Sequence, residues 1–272
     1  MNRSYRGRRW LSTICVVVAV LTTNQALADE EASAWQDVLD THVDDKGRVS
    51  YGALKAQPSA LEKTLQSIVS TDLSTQNTRH KKAFFLNAYN AYTVQLMSQN
   101  WPIQSIRDLD QGKVWDTRKY PMAGRTLTLN ELENGVLRKM NDPRIHAGLN
   151  CASKGCAPLH DRAFRGDLVG AQLDKASLRW IRTTAFSTVG DTNAPSEVRL
   201  SQIFDWYGDD FTPRFGAKHH DIPRIEGKEE AAINFIVHVM EKNGDRPALA
   251  GALKRGQYTV RWMNYDWSHN GR

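Results

Sequence analysis

The chain has 272 residues, of which 40% are hydrophobic, 24% charged and 9% aromatic. These are the proportions of an ordinary globular protein and exclude a disordered, collagen-like or multi-span membrane chain. The formal charge of +6 misleads: Arg3, Arg6, Arg8 and Arg9 precede residue 29 and no acidic residue does, so residues 29–272 balance 32 basic against 30 acidic side chains, and nucleic acid is not expected as a partner.

Residues 1–28 have the layout of a secretory signal peptide: a basic start, an apolar run from Trp10 to about Thr22, and Ala26-Leu27-Ala28 as the small-x-small cleavage pattern. The run is short for a hydrocarbon core of about 30 Å, so no membrane span is expected after cleavage; an uncleaved anchor is the alternative. Arg8-Arg9 leaves the twin-arginine route open beside the general secretory one. Residues 29–272 lack repeats and Pro/Gly/Ser linkers and are expected to form one domain, periplasmic or secreted. Cys15 leaves with the signal, so Cys151 and Cys156 remain.

In chain order, residues 33–42 suit a short helix with Trp35, Val38 and Leu39 inward, and Asp44 to Gly47 a turn. Ser59 and Glu62 suggest a capping box for a helix burying Leu61, Leu65, Ile68 and Val69. The segment from about Thr78 to Gln99 is apolar almost all round, as a helix in the middle of a core must be. A hairpin turning at Ala123-Gly124 follows. Thr128 and Glu131 form a second capping box, for a helix with Leu129, Leu132, Val136 and Met140 inward and ending at Asn141-Asp142-Pro143. Ile145 to Cys151 alternates and predicts a strand. Helices are expected over 167–182, after Ser201 and over 228–241, and an aromatic strand from Tyr258 to Met263. Without a regular βαβ rhythm this is an α+β fold, helix-rich, with a small and mostly antiparallel sheet and one buried central helix.

Three stretches carry a recognisable signature: Ala83-Phe-Phe-Leu-Asn-Ala-Tyr-Asn-Ala91, the run from Asp142 to Leu159, and the run from Leu200 to Phe211. With Tyr265-Asp-Trp-Ser268 they resemble the domain-of-unknown-function family DUF547, from about Trp35 to Asn270. The resemblance implies an exported bacterial member but no particular activity. Ala147, Ala157-Pro158 and His269-Asn270 depart from the family's usual pattern.

The segment from His146 to His160 is the richest in reactive groups. One reading is a disulfide between Cys151 and Cys156, natural in an oxidising compartment and worth about 2 kcal/mol. A second makes Cys151 a nucleophile and His146 its base, with His160 as substitute base. In a regular strand, however, Cys151 points away from His146 and Asn150, so the groups meet only if the chain bulges or turns at Gly148 or Asn150. A third, zinc held by His146, Cys151, Cys156 and His160, has wide cysteine spacing and no second ligand cluster; a fourth leaves two inert core thiols. No metal or cofactor is therefore expected. Asn87, Asn90 and Asn150 are candidate substrate-binding amides, with Asn87 and Asn90 on one helix face; alternatively they tie down neighbouring loops. Asp205, Asp209 and Asp210 suit a solvated helix face, His219-His220 a solvated loop, and His238 a core position. No phosphate loop, Gly-x-Ser-x-Gly elbow or His-Glu-x-x-His pair is present. Two functions remain: a non-catalytic binding or assembly module of the envelope, with a protein, peptide or small-molecule partner, or a cysteine-dependent hydrolase or acyl-transferase acting on an envelope peptide or amide.

Overall fold

The computed structural model describes residues 32–217 and 221–272. The expected signal segment and His219-His220 lie outside the described residues.

Helix α1 covers 32–42 and buries Trp35, Val38 and Leu39. It is followed by α2 (Tyr51–Ala56) and α3 (Ser59–Ser70). The expected box at Ser59 does not form: Pro58 precedes the helix and makes no side-chain cap. Leu61, Leu65 and Ile68 face inward while Val69 is exposed. Helix α4 runs Thr78–Gln99, opened by Asn77, whose side chain accepts from the N–H groups of Arg79 and His80. All of residues 83–94 are buried, and α4 packs against α2 and α3.

After a 3₁₀ turn (Ile106–Gly112) and the short α5 (Val114–Thr117), β1 (Lys119–Met122) and β2 (Arg125–Thr128) form the expected hairpin. Its turn residues Ala123 and Gly124 both have positive φ, the backbone of a type I′ turn. Thr128 then caps α6 (Leu129–Leu132) with Glu131, in the reciprocal box read from the sequence. The helix does not continue regularly. Residues Glu133–Leu137 form a π turn and Arg138–Met140 a 3₁₀ turn. The wider turn shifts the register, so Leu137 rather than Val136 is fully buried, and Glu133 is carried inward.

The short α7 (Ile145–Gly148) leads through the cysteine loop to α8 (Val169–Thr183). Strands β3 (Phe186–Asp191) and β4 (Ala194–Leu200) pair antiparallel. Ser201 caps α9 (Gln202–Trp206), followed by α10 (Gly208–Phe215), α11 (Gly227–Lys242) and α12 (Pro247–Lys254). The aromatic terminal strand is β5 (Thr259–Trp262), parallel to β4. The fold is α+β and helix-rich, with its strands divided between two small sheets. Among the described residues no helix is long and apolar enough to cross a membrane.

Two hydrophobic clusters organise the chain. One surrounds α4. The other gathers Trp180, Phe204, Phe211 and Phe235, with Trp180 stacked on Phe204 at 4.7 Å. The terminal residues cross back to the first cluster. Val49 N–H donates to Asn270 O, Arg272 N–H to Val49 O, and the Tyr51 hydroxyl to Asn270 Oδ1 at 2.6 Å.

Candidate functional site

Where the two clusters meet there is a cavity of about 240 Å³. Tyr89 and Leu149 line it from the α4 cluster, and Cys156 and Ile203 from the other. His146, Cys151 and Glu133 line it as well. A seam between packed layers is a common place for a ligand site.

The chain reaches this seam by a route that overturns one expectation. Residues 145–148 are a helical turn and not the start of a strand. The alternation that suggested a strand comes from Ile145 and Leu149, which sit four apart on one side of the turn and pack in the α4 cluster. His146 is rotated about 100° from Ile145 and stacks on Tyr207, with ring centroids 4.3 Å apart. His146 and Cys151 therefore line one cavity and are not separated by the two faces of a strand.

Buried asparagines hold this path. Asn90 Nδ2 donates to Gly148 O and its Oδ1 accepts from Asn150 N–H, both at 2.9 Å. Asn150 Oδ1 accepts from Ala152 N–H at 2.9 Å and its Nδ2 donates to Ala157 O at 2.8 Å, closing the cysteine loop on itself. Asn87 pairs both ways with the backbone of Phe164. None of the three lines the cavity; their amides are engaged with backbone and act as ties.

The C-terminal segment straps the cysteine loop from outside. Gly155 N–H donates to Asp266 O and Lys154 N–H to Ser268 O, each at 2.9 Å. A Cβ on Gly155 would stand 3.0 Å from Asp266 N and from the Tyr265 ring, so the close approach relies on glycine. The strap brings the Tyr265 hydroxyl 3.2 Å from Cys151 Sγ and 2.9 Å from Ser153 Oγ, which is itself 3.1 Å from the sulfur.

Cys151 and Cys156 are both free thiols, so the expected disulfide is not formed. Hydrogen bonds occupy the sulfurs instead. Cys151 N–H donates to Cys156 Sγ at 3.2 Å. A hydrogen bond with the Cys156 side chain holds the Cys151 pKa down at about 7, against burial and with help from Ser153 and Tyr265; the Cys156 thiol also donates to Leu149 O at 3.5 Å. The hydrogen bond with Cys151 and burial push Cys156 up. Cys151 is thus the sulfur that ionises and Cys156 the one that stays protonated.

His146 has a partner that sequence reasoning missed. Its Nε2 lies 2.7 Å from Asp210 Oδ2. Arg138 forks onto the same carboxylate, Nε to Oδ2 at 2.7 Å and Nη2 to Oδ1 at 3.0 Å. Burial pushes the Asp210 carboxyl up, but the hydrogen bonds from His146 and Arg138 outweigh it and hold the pKa at about 2. An ionised Asp210 accepts from Nε2–H, so Nδ1 is the ring nitrogen left to exchange a proton. Asp209 is exposed and the Asp205 side chain is 40% exposed beside Lys228, as the solvated-face reading expects, while Asp210 departs from it at 18%. The available signal was the i,i+3 spacing of Tyr207 and Asp210; the Tyr207 ring stacks on His146 and the Phe211 ring lies 5.7 Å from it.

His160 lies elsewhere. Its Nδ1 is 2.9 Å from Arg162 O, and it lines a separate cavity with Gln36 and Arg165. It is removed both as a substitute base and as a fourth zinc ligand. Among the described residues no three His, Cys, Asp or Glu side chains converge to hold a metal ion.

Residues 73–181 match the family model described as "Protein of unknown function, DUF547". The chain carries a DUF547 domain. The match is narrower than the sequence resemblance suggested. It spans α4 to α8 and includes Glu133, His146, Cys151 and Cys156, whereas Tyr207, Asp210 and Tyr265 complete the site from beyond the matched DUF547 segment. No curated protein and no solved structure matches the chain.

Proposed function

We propose that the cavity performs cysteine-dependent acyl transfer, with Cys151 as nucleophile, His146 as general base and acid, and Asp210 as the group that orients His146. One observation carries this reading: a thiol held near pKa 7 by its neighbours Cys156, Ser153 and Tyr265 shares a cavity with an imidazole whose Nε2 is fixed on an ionised carboxylate. A purely structural cysteine loop needs neither the shared cavity nor the anchored ring.

The steps follow from these groups. The Cys151 proton passes to His146 Nδ1, and the sulfur attacks the carbonyl carbon of an amide or ester. The tetrahedral intermediate collapses with breakage of the bond to the leaving group, which takes the proton from the imidazolium. The acyl group stays on Cys151 as a thioester. Water, deprotonated by the same nitrogen, releases the acid and restores the thiol; an amine in place of water gives transfer. The hydroxyls of Ser153 and Tyr265, which hydrogen-bond the Cys151 sulfur, are available to a developing oxyanion.

Export is part of the same proposal: cleavage after Ala28 delivers the protein to the envelope, where the substrate is a peptide amide or ester. A mature N-terminus at Asp29 supports this, and recovery of the full chain in the cytoplasm opposes it. The chemistry is tested with p-nitrophenyl acetate. A stoichiometric burst of p-nitrophenolate is expected, with one acetyl group on Cys151 by peptide mapping. The burst is lost in Cys151→Ser and much slowed in His146→Ala. Failure of the wild-type chain to acetylate at Cys151 contradicts the reading.

A further inference from the structure

The cavity has a charge character that acyl transfer alone does not require. Asp116 and Glu133 line it, and among the described residues no Lys or Arg does. Glu133 is only 8% exposed, and the π turn carries it inward; such turns recur at functional sites. Its hydrogen-bond partner is the Tyr207 side chain. Arg138 feels its charge, but the guanidinium is forked onto Asp210 and lies over the Tyr207 ring at 5.2 Å. A buried acidic side chain on a cavity wall is matched by a ligand that brings a positive charge to it.

Tryptophans share the cavity with that carboxyl group. Trp115, Trp206 and Trp267 line the same cavity. Trp206 and Trp267 stack at 5.7 Å and 21°, and Trp206 is 45% exposed. The outer aromatic cluster already holds one cation, since the Arg107 guanidinium lies 4.9 Å from the centroid of the Trp267 ring. Aromatic faces beside carboxylates are the chemistry that recognises ammonium groups.

We propose that this cavity binds an ammonium group, held by Glu133 and the tryptophan faces, so that the substrates are acyl compounds carrying a cationic amine. The word substrate rests on the acyl-transfer reading; the ammonium site does not.

Methanethiosulfonates of different charge test it. The Cys151 thiolate attacks their sulfenyl sulfur, a disulfide forms and methanesulfinate leaves. Rates with the trimethylammonium-ethyl, sulfonatoethyl and methyl reagents are divided by their rates with free cysteine. The cationic reagent is expected to be favoured over the anionic by about tenfold or more. Glu133→Gln, and to a smaller degree Asp116→Asn, lowers the cationic-to-neutral ratio. In Cys151→Ser, tetramethylammonium is expected to change tryptophan fluorescence saturably, with affinity about tenfold weaker once Glu133 is also Gln. Equal normalised rates for cation and anion, or tetramethylammonium without effect, overturn the proposal. If Cys151 ignores all three reagents while tetramethylammonium still binds, the acyl-transfer reading fails and the ammonium site stands.

Discussion

His146 and Asp210 are 64 residues apart in the chain and meet at 2.7 Å between Nε2 and Oδ2. The contact joins α7 to α10 across the seam of the two hydrophobic clusters, and Arg138 locks it from a third element. The ring is therefore held by stacking on Tyr207 and by one ionised acceptor, which selects its tautomer.

Asp210→Asn keeps the volume and removes the charge. The amide can satisfy Nε2 in either sense, so the lone pair is no longer reserved for Nδ1. The rate of the p-nitrophenyl acetate burst is expected to fall about 100-fold or more, a modest figure beside the loss of about 10⁴ known for a carboxylate-to-amide change behind a catalytic histidine. Circular dichroism should show the fold retained. An unchanged burst rate would remove Asp210 from the mechanism.

A second charge cluster supports the approach to α7. Asp142 bonds Lys82 at 2.6 Å and Arg144 at 2.9 Å, and Arg144 continues to Asp174 at 2.7 Å. Burial raises the Asp142 pKa, but hydrogen bonds from Arg144 and Lys82 outweigh it and hold it at about 2, below the usual 3.8. The folded state thus binds fewer protons than the unfolded chain between these values. The stabilisation, about 2 kcal/mol, is full above about pH 4 and is lost as pH falls towards 2. Asp142→Asn should lose that amount in urea denaturation at neutral pH and flatten the acid limb of the stability curve. An acid limb identical to wild type would contradict it.

Asn90→Ala leaves Gly148 O and Asn150 N–H without their partner in a buried position. Two orphaned backbone groups cost about 3 kcal/mol together, measurable as a lower urea midpoint. Because the same amide fixes the turn between His146 and Cys151, the burst rate should fall too. A loss of stability with an unaltered burst would separate the tie from the site.

Much of the scaffold was legible because local chemistry and packing agree there. Asn87 and Asn90 lie on a helix whose apolar faces leave them no exit, so their role as loop ties could be foreseen; the Thr128–Glu131 box and the Ala123-Gly124 turn formed as their residue types require. The 145–151 segment misled because a helical turn followed by an extended pair of residues imitates period-two alternation. Glu133 was hidden by the π turn, since periodicity arguments assume an unbroken 3.6 spacing. Asp210 was hidden because its partner is distant in sequence, and Tyr265 because the strap that brings it to Cys151 is held by backbone bonds, which leave little trace in side-chain pattern.

The most direct measurement is the pH dependence of alkylation by iodoacetamide, followed by peptide mapping from about pH 5 to about pH 9. Cys151 should react with a midpoint near 7 and Cys156 should be spared while the protein is folded. Tyr265→Phe, which removes one donor from the sulfur, should move the midpoint upward. A midpoint near the ordinary thiol value of about 8.5, or equal labelling of the two cysteines, would contradict a nucleophilic Cys151.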